Sequence, residues 1–488
     1  MISSLARLTV LGLILITAFT PLASSASKRA AAVPPPAVQN WLSYGHDPQL
    51  TNYLKPGLTT AAARRLRQAW AKKLDGGIVA SPLYVSGSSA VSSLKTDMLI
   101  VTTRAGTVYA LRPGSGALLW KRKLGAVNEP CFGGWGISST GAVDLKRGVV
   151  YVISAPGWLH ALNLGTGREK RGWPISITAD HASGEYVWGG LRLLRNRLYV
   201  SVASYCDASG SDGQHANGRL VAVNVDRPTQ TIVFDPVPGE DNLGGIWSWG
   251  GVSVDPAGKL LYTGIGNSYV YDPGCSCYRD DAGYGDSVVK LTPDLRVVAS
   301  SRPQGYPPTG DLDFGSSPLL FHPSGCPPLA AANSKMGITF VWNRNALRAG
   351  PIAVINIGGD VAFVGQPSYS PALRMLFISG ENKPWIPPVV GYGVTALTID
   401  ATCKAYATRW RVHVGEGAGP PPLVLGDVVI AAGGIGGGYA AIGARTGKVL
   451  WRFQTPAQTL APVIASKGRI YAGDFDGNLR VFAPRPAG

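Results

Sequence analysis

Residues 245–318 hold the densest set of groups that could do chemistry. The stretch opens GIWSWGGVSVDPAGKLLYTGIGNSY (245–269), continues through GYGDSVVKL (283–291) and closes on GDLDFGSSP (310–318). The run 252–264 reads as a hairpin, because Asp255-Pro256 followed by Gly258 sets a turn between two apolar segments. Trp247 and Trp249 precede the hairpin. Asn267 sits on the Gly-flanked strand end after it, where backbone can approach a ligand closely. A carboxylate pair, Asp311 and Asp313, follows one repeat later. Broad indole plates with amide and carboxylate oxygens suit a flat anionic cofactor held beside a hard cation.

These groups need a scaffold, and the chain carries a repeat that supplies one. GTVYALRPGSGALLW (106–120), GWLHALNLGTG (157–167), GRLVAVNV (218–225), GITFVWNR (337–344), GGYAAIGARTGKVLW (437–451) and GNLRVFAP (477–484) are copies of one pattern; DSVVKL (286–291) and YGVTAL (392–397) are weaker copies. The equivalent inward positions are Ala110, Ala161, Ala222, Lys290, Val341, Ala396, Ala441 and Val481, and a glycine stands four residues earlier in six of the eight. Each copy reads as glycine, alternating strand, turn, then a strand ending in Trp where the pattern is complete, which describes an antiparallel blade. One four-stranded blade cannot bury both faces, so the copies must stack radially. The expected fold is all-β: an eight-bladed β-propeller of four-stranded antiparallel blades over residues 40–486, with a linear solenoid as the alternative. Trp120 and Trp451 are expected to dock between neighbouring blades. The longest intervals, between Ala161, Ala222 and Lys290, hold Cys206-Asp207, the Trp247/Trp249 hairpin and Cys275-Ser-Cys277, so decoration and motif coincide.

Composition agrees. With 63 Gly, 37 Pro and only 15% charged residues in 488, the chain is turn-rich and well packed, unlike a helical bundle or a disordered protein. Only a few segments, such as residues 60–70, show a helical pattern. Arg7, the short apolar run 8–19 and the small residues 23–26 read as a signal peptide over 1–26, followed by a Pro-rich linker over 27–39. The apolar run is too short to span a bilayer, and the first cysteine is Cys131, so neither a transmembrane nor a lipid anchor is expected. The mature chain is expected to be periplasmic or extracellular. Its net charge of +16 reads as a solvated basic surface, or as attraction to anionic envelope polymers or an acidic redox partner. No basic run interleaved with aromatics marks a nucleic-acid site. Six cysteines permit 15 pairings. The six histidines show no metal-site spacing, no Ser/His/Asp order is legible, and the glycine run 433–438 reads as a strand end needing close backbone approach rather than a nucleotide loop.

The stretch resembles the pyrroloquinoline quinone (PQQ)-dependent alcohol dehydrogenases. Trp249, Asp255-Pro256, Gly266-Asn267, Asp313-Phe314-Gly315 and Lys335-Met336-Gly337 stand in that family's order, and NWLSYGHDPQLTNY (40–53) is similar to its opening segment, which usually supplies the closing strand. The resemblance implies that Trp249 forms the floor under the quinone, with Trp247 a weaker candidate. It implies that Asn267 and Asp313 ligate a metal, that Asp313 is the catalytic base (Asp311 second), and that Lys335 bonds the quinone oxygens. The family's further metal ligand, a Glu, is absent; Asp207 takes that place, with Asp212 second. The family's vicinal disulfide against the quinone is impossible here, since only Cys131 occupies its region. Cys131 then pairs with Cys206, and Trp135 supplies the ceiling. Gly315 stands where lanthanide-dependent relatives carry an extra Asp, which favours Ca2+ and leaves a lanthanide open. No Cys-x-x-Cys-His marks a haem domain. The implied function is oxidation of a small-molecule alcohol or sugar, with electrons leaving to an external acceptor such as a cytochrome. The alternatives are a propeller without cofactor, acting as a binding or assembly scaffold, and a carbohydrate-binding propeller.

Overall fold

A computed structural model describes residues 40–87, 96–129, 133–178, 185–204, 217–239, 242–303, 313–357, 365–380, 393–415 and 419–486. Eight antiparallel sheets follow one another along the chain. They are blade 1 (83–123), blade 2 (142–176), blade 3 (192–234), blade 4 (253–301), blade 5 (319–356), blade 6 (368–413), blade 7 (423–453) and blade 8 (464–484). In each, the first three strands are almost wholly buried while the fourth is half-exposed or exposed, so the fourth lies on the rim. All eight inward positions fall on the third strand of their blades, and seven of the eight are buried; Lys290 is the half-buried exception.

Blade 8 has only three strands of its own. Its rim strand is Leu66–Lys73, which pairs antiparallel with Asn478–Pro484 and joins the two ends of the ring. The helical reading of 60–70 is therefore corrected: the helix is one turn, Thr60–Ala63, capped by the Thr59 hydroxyl. Local propensity favours that turn, but the backbone beyond it is claimed by a strand some 400 residues away (412 between Gln68 and Arg480). Closure also falls later than the opening segment 40–53. That segment instead crosses several blades: Trp41 bridges Tyr84 of blade 1, and Tyr53–Leu54 adds parallel to Leu423–Leu425 of blade 7.

Tryptophan docking joins the blades from 6 round to 1. Trp410, Trp70 and Trp120 donate their indole N–H to the carbonyls of Ala444, Pro113 and Leu164, each on the next blade's outer turn. Under each ring lies a glycine with φ near +70° (Gly447, Gly116, Gly167), and a Cβ there would come within 3 Å of the indole. The left-handed backbone thus presents a flat surface that no side chain obstructs. Trp451 packs edge-on to Phe482 of blade 8 at 4.9 Å. Trp70 and Trp410 extend the pattern expected of Trp120 and Trp451.

Two disulfides are described. Cys326–Cys403 ties a turn of blade 5 to one of blade 6, and Cys275–Cys277 closes the tip of a two-stranded ribbon inserted in blade 4 (Val270–Asp272 with Cys277–Arg279).

Candidate functional site

The hairpin forms as expected: Ser253 pairs with Tyr262, and the Asp255 carboxylate accepts the amides of Lys259 and Leu260 at 2.7 Å, fixing the turn. The segments entering blades 3, 4 and 5 are bonded in series. The Gly190 amide donates to the Trp249 carbonyl, and the Trp249 amide donates to the Gly315 carbonyl. This series sets the Trp249 segment beside the Asp313-Phe314-Gly315 segment.

Asp313 is fully buried, and its Oδ1 lies 2.8 Å from Lys335 Nζ, whose side chain is 9% exposed. The Lys335 amide also donates to the Asp313 carbonyl at 3.0 Å. On the other side, Asp313 Oδ2 faces Gly266, where a Cβ would sit only 2.7 Å away. Glycine before Asn267 is therefore required for the carboxylate to reach this strand end. Asn267 is half-buried, its backbone carbonyl accepts the Gly244 amide, and its side-chain amide makes no hydrogen bond among the described residues. The structure thus brings Asn267, Asp313 and Lys335 to one place.

Asp286 belongs to the same place and was not singled out in the sequence. Its amide donates to the Gly266 carbonyl, it is 2% exposed, and its Oδ1 has no hydrogen-bond partner. Burial, then the charges of Asp313 and Asp280, push its carboxyl up to about 9, so it is protonated at neutral pH. A signal was present: Asp286 occupies the repeat's glycine position, four residues before Lys290. Its φ is +53°, and Gly106, Gly157, Gly337, Gly437 and Gly477 at the same position also have positive φ. A non-glycine residue held there is a strain that function commonly explains.

An aromatic cluster adjoins these groups: Tyr44, Trp135, Tyr186, Trp188 and Trp249, with Trp247 and Phe475 packed against it. Trp188 lies 5.7 Å from Trp249 and 5.4 Å from Trp135. The Arg104 guanidinium covers Trp135 at 4.5 Å and Phe475 at 4.4 Å. Tyr186 and Trp188, from EYVWGG, also escaped the sequence reading; no motif flags them. Arg192, wholly buried, ties the opening segment to the hairpin by donating to Ser43 Oγ, the Tyr44 carbonyl and the Val252 carbonyl, and burial lowers its pKa to about 10.

Cys131 and Asp207 lie outside the described residues, as do Cys206, Asp212 and Asp311. Among the described residues, no group of three or more His, Cys, Asp or Glu side chains could hold a metal ion; Asn267 and Asp313 offer an amide and a carboxylate oxygen as candidate ligands. They suit a hard cation, and the buried ammonium and indole cluster suit a flat anionic quinone.

One constellation unread in the sequence lies in blade 2. His160 bonds Glu169 Oε2 through Nδ1 at 2.7 Å and Ser154 Oγ through Nε2 at 3.1 Å. Ser154 is 1% exposed and adjoins a cavity of only about 20 Å3, so the trio is a tie within the blade rather than a hydrolytic site.

A family model described as outer membrane protein assembly factor BamB matches residues 49–201 and 400–485. A polyvinylalcohol dehydrogenase from Pseudomonas sp. is 24% identical over 82% of this chain and 65% of its own length. Quinohemoprotein alcohol dehydrogenase ADH-IIG from Pseudomonas putida is 26% identical over 48% of this chain and 34% of its own length. The chain therefore spans less than two thirds of either relative. Among solved structures, quinohemoprotein alcohol dehydrogenase ADHIIG from Pseudomonas putida HK5 superposes with a TM-score of 0.72 at 17% identity, covering 92% of this chain and 82% of that one. The fold is that of the quinoprotein alcohol dehydrogenases. A europium-containing methanol dehydrogenase gives 0.70 at 16% identity over 91% and 98%. BamB from Moraxella catarrhalis gives 0.55 at 13% over 86% and 99%. The family-model match covers blades 1, 2, 7 and 8 of the propeller and the start of blade 3; it includes Trp135, Tyr186 and Trp188 of the aromatic cluster and leaves Trp249, Asn267, Asp286, Asp313 and Lys335 outside it.

Proposed function

We propose that this chain is an exported quinoprotein oxidoreductase that oxidises an alcohol or sugar hydroxyl and passes the electrons to an external acceptor such as a cytochrome. The observation that carries this reading is the buried Asp313–Lys335 pair set against Gly266-Asn267. A desolvated ion pair is weak evidence for stability, so its burial beside an unsatisfied amide and a protonated carboxyl calls for a functional reason. PQQ, when bound, supplies the two-electron acceptor, and a divalent cation supplies Lewis acidity. Asn267 and Asp313 would hold the cation, with Asp207 as the third ligand; Trp249 and Trp135 would flank the quinone. Lys335 keeps Asp313 ionised in a dry site, so the carboxylate accepts the substrate hydroxyl proton. The same ammonium would offset negative charge developing on a bound quinone. The dehydrogenase names of the relatives support this reading, and residues 1–26 fit a signal peptide.

The second reading is a non-catalytic scaffold. The family-model match to an assembly factor favours it, because that match leaves out Asn267, Asp313 and Lys335. Reconstitution separates the two. The mature chain is given PQQ with calcium and then with a lanthanide, and bound-cofactor absorbance and dye-linked alcohol oxidation are recorded. Metal-dependent binding that is lost in Asn267→Ala and Asp313→Ala supports the enzyme. No binding with either metal sinks it and leaves the scaffold.

A further inference from the structure

The rim of the propeller is unevenly charged. The rim strands of blades 6, 7, 8 and 1 read YATRWRVH, VLWRF, LRQAWAKK and LLWKRK, with nine Lys or Arg and no Asp or Glu. Those of blades 2 to 5 read IS, TIVF, VVASS and AVIN, with no charge of either sign. The four basic blades are consecutive around the ring, joined by the contacts of Trp410 with blade 7, Trp451 with blade 8 and Trp70 with blade 1. Lys170 and Arg171, exposed just before the rim strand of blade 2, prolong the arc at one end.

The charge is phased with the repeat. Lys121, Arg411 and Arg452 each follow the docked Trp of their strand directly and pair at the same register, with Tyr109, Thr395 and Ala440. Side chains alternate along a strand, so a Trp turned inward sends the next residue outward. Arg67, Lys121, Arg122, Arg409 and Arg411 are exposed, with no carboxylate partner among the described residues. Cations left unpaired over four neighbouring blades attract one extended anion more strongly than a compact one, because each added contact releases further counterions. The arc's tryptophans are docked, Trp120 and Trp410 buried and Trp70 and Trp451 half-buried against the next blade, so no exposed stacking platform for bases is offered.

We propose that this arc binds a linear anionic polysaccharide and holds the protein to it, independently of the activity proposed above. The test uses dextran sulfate with the full mature chain, at about 0.15 M salt, where the screening length is about 8 Å. Two variants with the same charge change are compared. One carries Arg67→Gln, Lys121→Gln, Arg122→Gln, Arg409→Gln and Arg411→Gln. The other carries Lys146→Gln, Arg195→Gln, Arg227→Gln, Lys259→Gln and Arg296→Gln, which are exposed turn positions of blades 2 to 4. The arc variant should lose roughly tenfold or more in affinity and show a shallower salt dependence, while the turn variant stays within about threefold of the parent. Equal losses in both would mean that net charge alone acts, and the arc would be rejected. Failure of the parent to bind dextran sulfate overturns the proposal, and so does binding confined to anionic vesicles or to an acidic globular protein. Circular dichroism and melting of both variants confirm that their folds match.

Discussion

Two halves of the same ring join their blades by different chemistry. From blade 6 round to blade 1 a rim tryptophan of each blade docks on the next, and for Trp410, Trp70 and Trp120 the indole lies on a left-handed glycine with its N–H on a carbonyl. Around the site the apolar core is also continuous from blade to blade, but the outer turns are tied by polar contacts. Arg147 of blade 2 forks onto Asp226 of blade 3, Arg197 of blade 3 reaches the Pro293 carbonyl and Asp294 of blade 4, and Lys290 of blade 4 reaches the Arg344 carbonyl of blade 5. The indole joints are largely buried, whereas Asp226 and Asp294 are more than half exposed. Buried indole contact contributes several kcal/mol, while exposed ion pairs contribute about 0–1 kcal/mol. The indole-docked half is regular, and the family model matches its blades 1, 7 and 8 together with blade 2. The half that carries the site has longer insertions, polar ties between its outer turns and strained or protonated groups, so docking tryptophans and chemistry are segregated around one ring.

The largest test of that division is Asp313→Asn. Dye-linked alcohol oxidation should fall by roughly 10^3-fold, the scale of a lost general base, and the melting temperature should fall as well, because the Lys335 ammonium is left buried without its carboxylate. Retained oxidation would mean that Asp313 is not the base. Next, Trp120→Ala should lower unfolding stability by about 3–5 kcal/mol in denaturant titration and leave PQQ affinity unchanged, whereas Arg147→Ala should cost about 1 kcal/mol, less in high salt. Similar costs would erase the distinction between the joints. The disulfides sharpen it further. Replacing Cys326 and Cys403 by Ala removes a cross-link with a sequence separation of 77 at the boundary of the halves, and about 2–4 kcal/mol should be lost. Replacing Cys275 and Cys277 by Ser, two residues apart, should cost under about 1 kcal/mol on the same loop-length argument.

A further test is a pH dependence. Asp286 has a folded pKa of about 9 against roughly 4 when unfolded, so between those values the native state holds a proton that the unfolded state has released. Stability then declines as pH rises through that window. Asp286→Asn, which also tolerates positive φ, should raise the denaturation midpoint of the metal-free protein at pH 8, leave it unchanged near pH 4 and flatten the slope between. An unchanged slope would mean that this carboxyl is ionised and stabilised by groups outside the described residues.

Much of the architecture was legible because it repeats. The eight inward positions, the hairpin at Asp255 and the close approach at Gly433, where a Cβ would meet the Gly437 carbonyl at 2.0 Å, all follow from period-2 patterning and turn chemistry. Trp249, Asn267, Asp313 and Lys335 were legible as a motif. Tyr186 and Trp188 were not, because an aromatic pair on a strand end looks the same whether it packs a blade or walls a site. Asp286 was hidden in a weak repeat copy whose departure from glycine was itself the clue. Ser154, His160 and Glu169 became a trio only when two neighbouring strands of blade 2 and the turn carrying Glu169 were laid side by side.

By itself, the sequence determined how many blades form, which residues of each point inward and which segment bears the chemistry. Those depend on spacings of a few residues, which local geometry imposes wherever the chain goes. Tertiary structure decided which strand closes the ring, which carboxyl keeps its proton and which cations gather on one arc of the rim. Each of these depends on partners brought from distant positions and on how completely water is removed, and neither is written in the order of neighbouring residues.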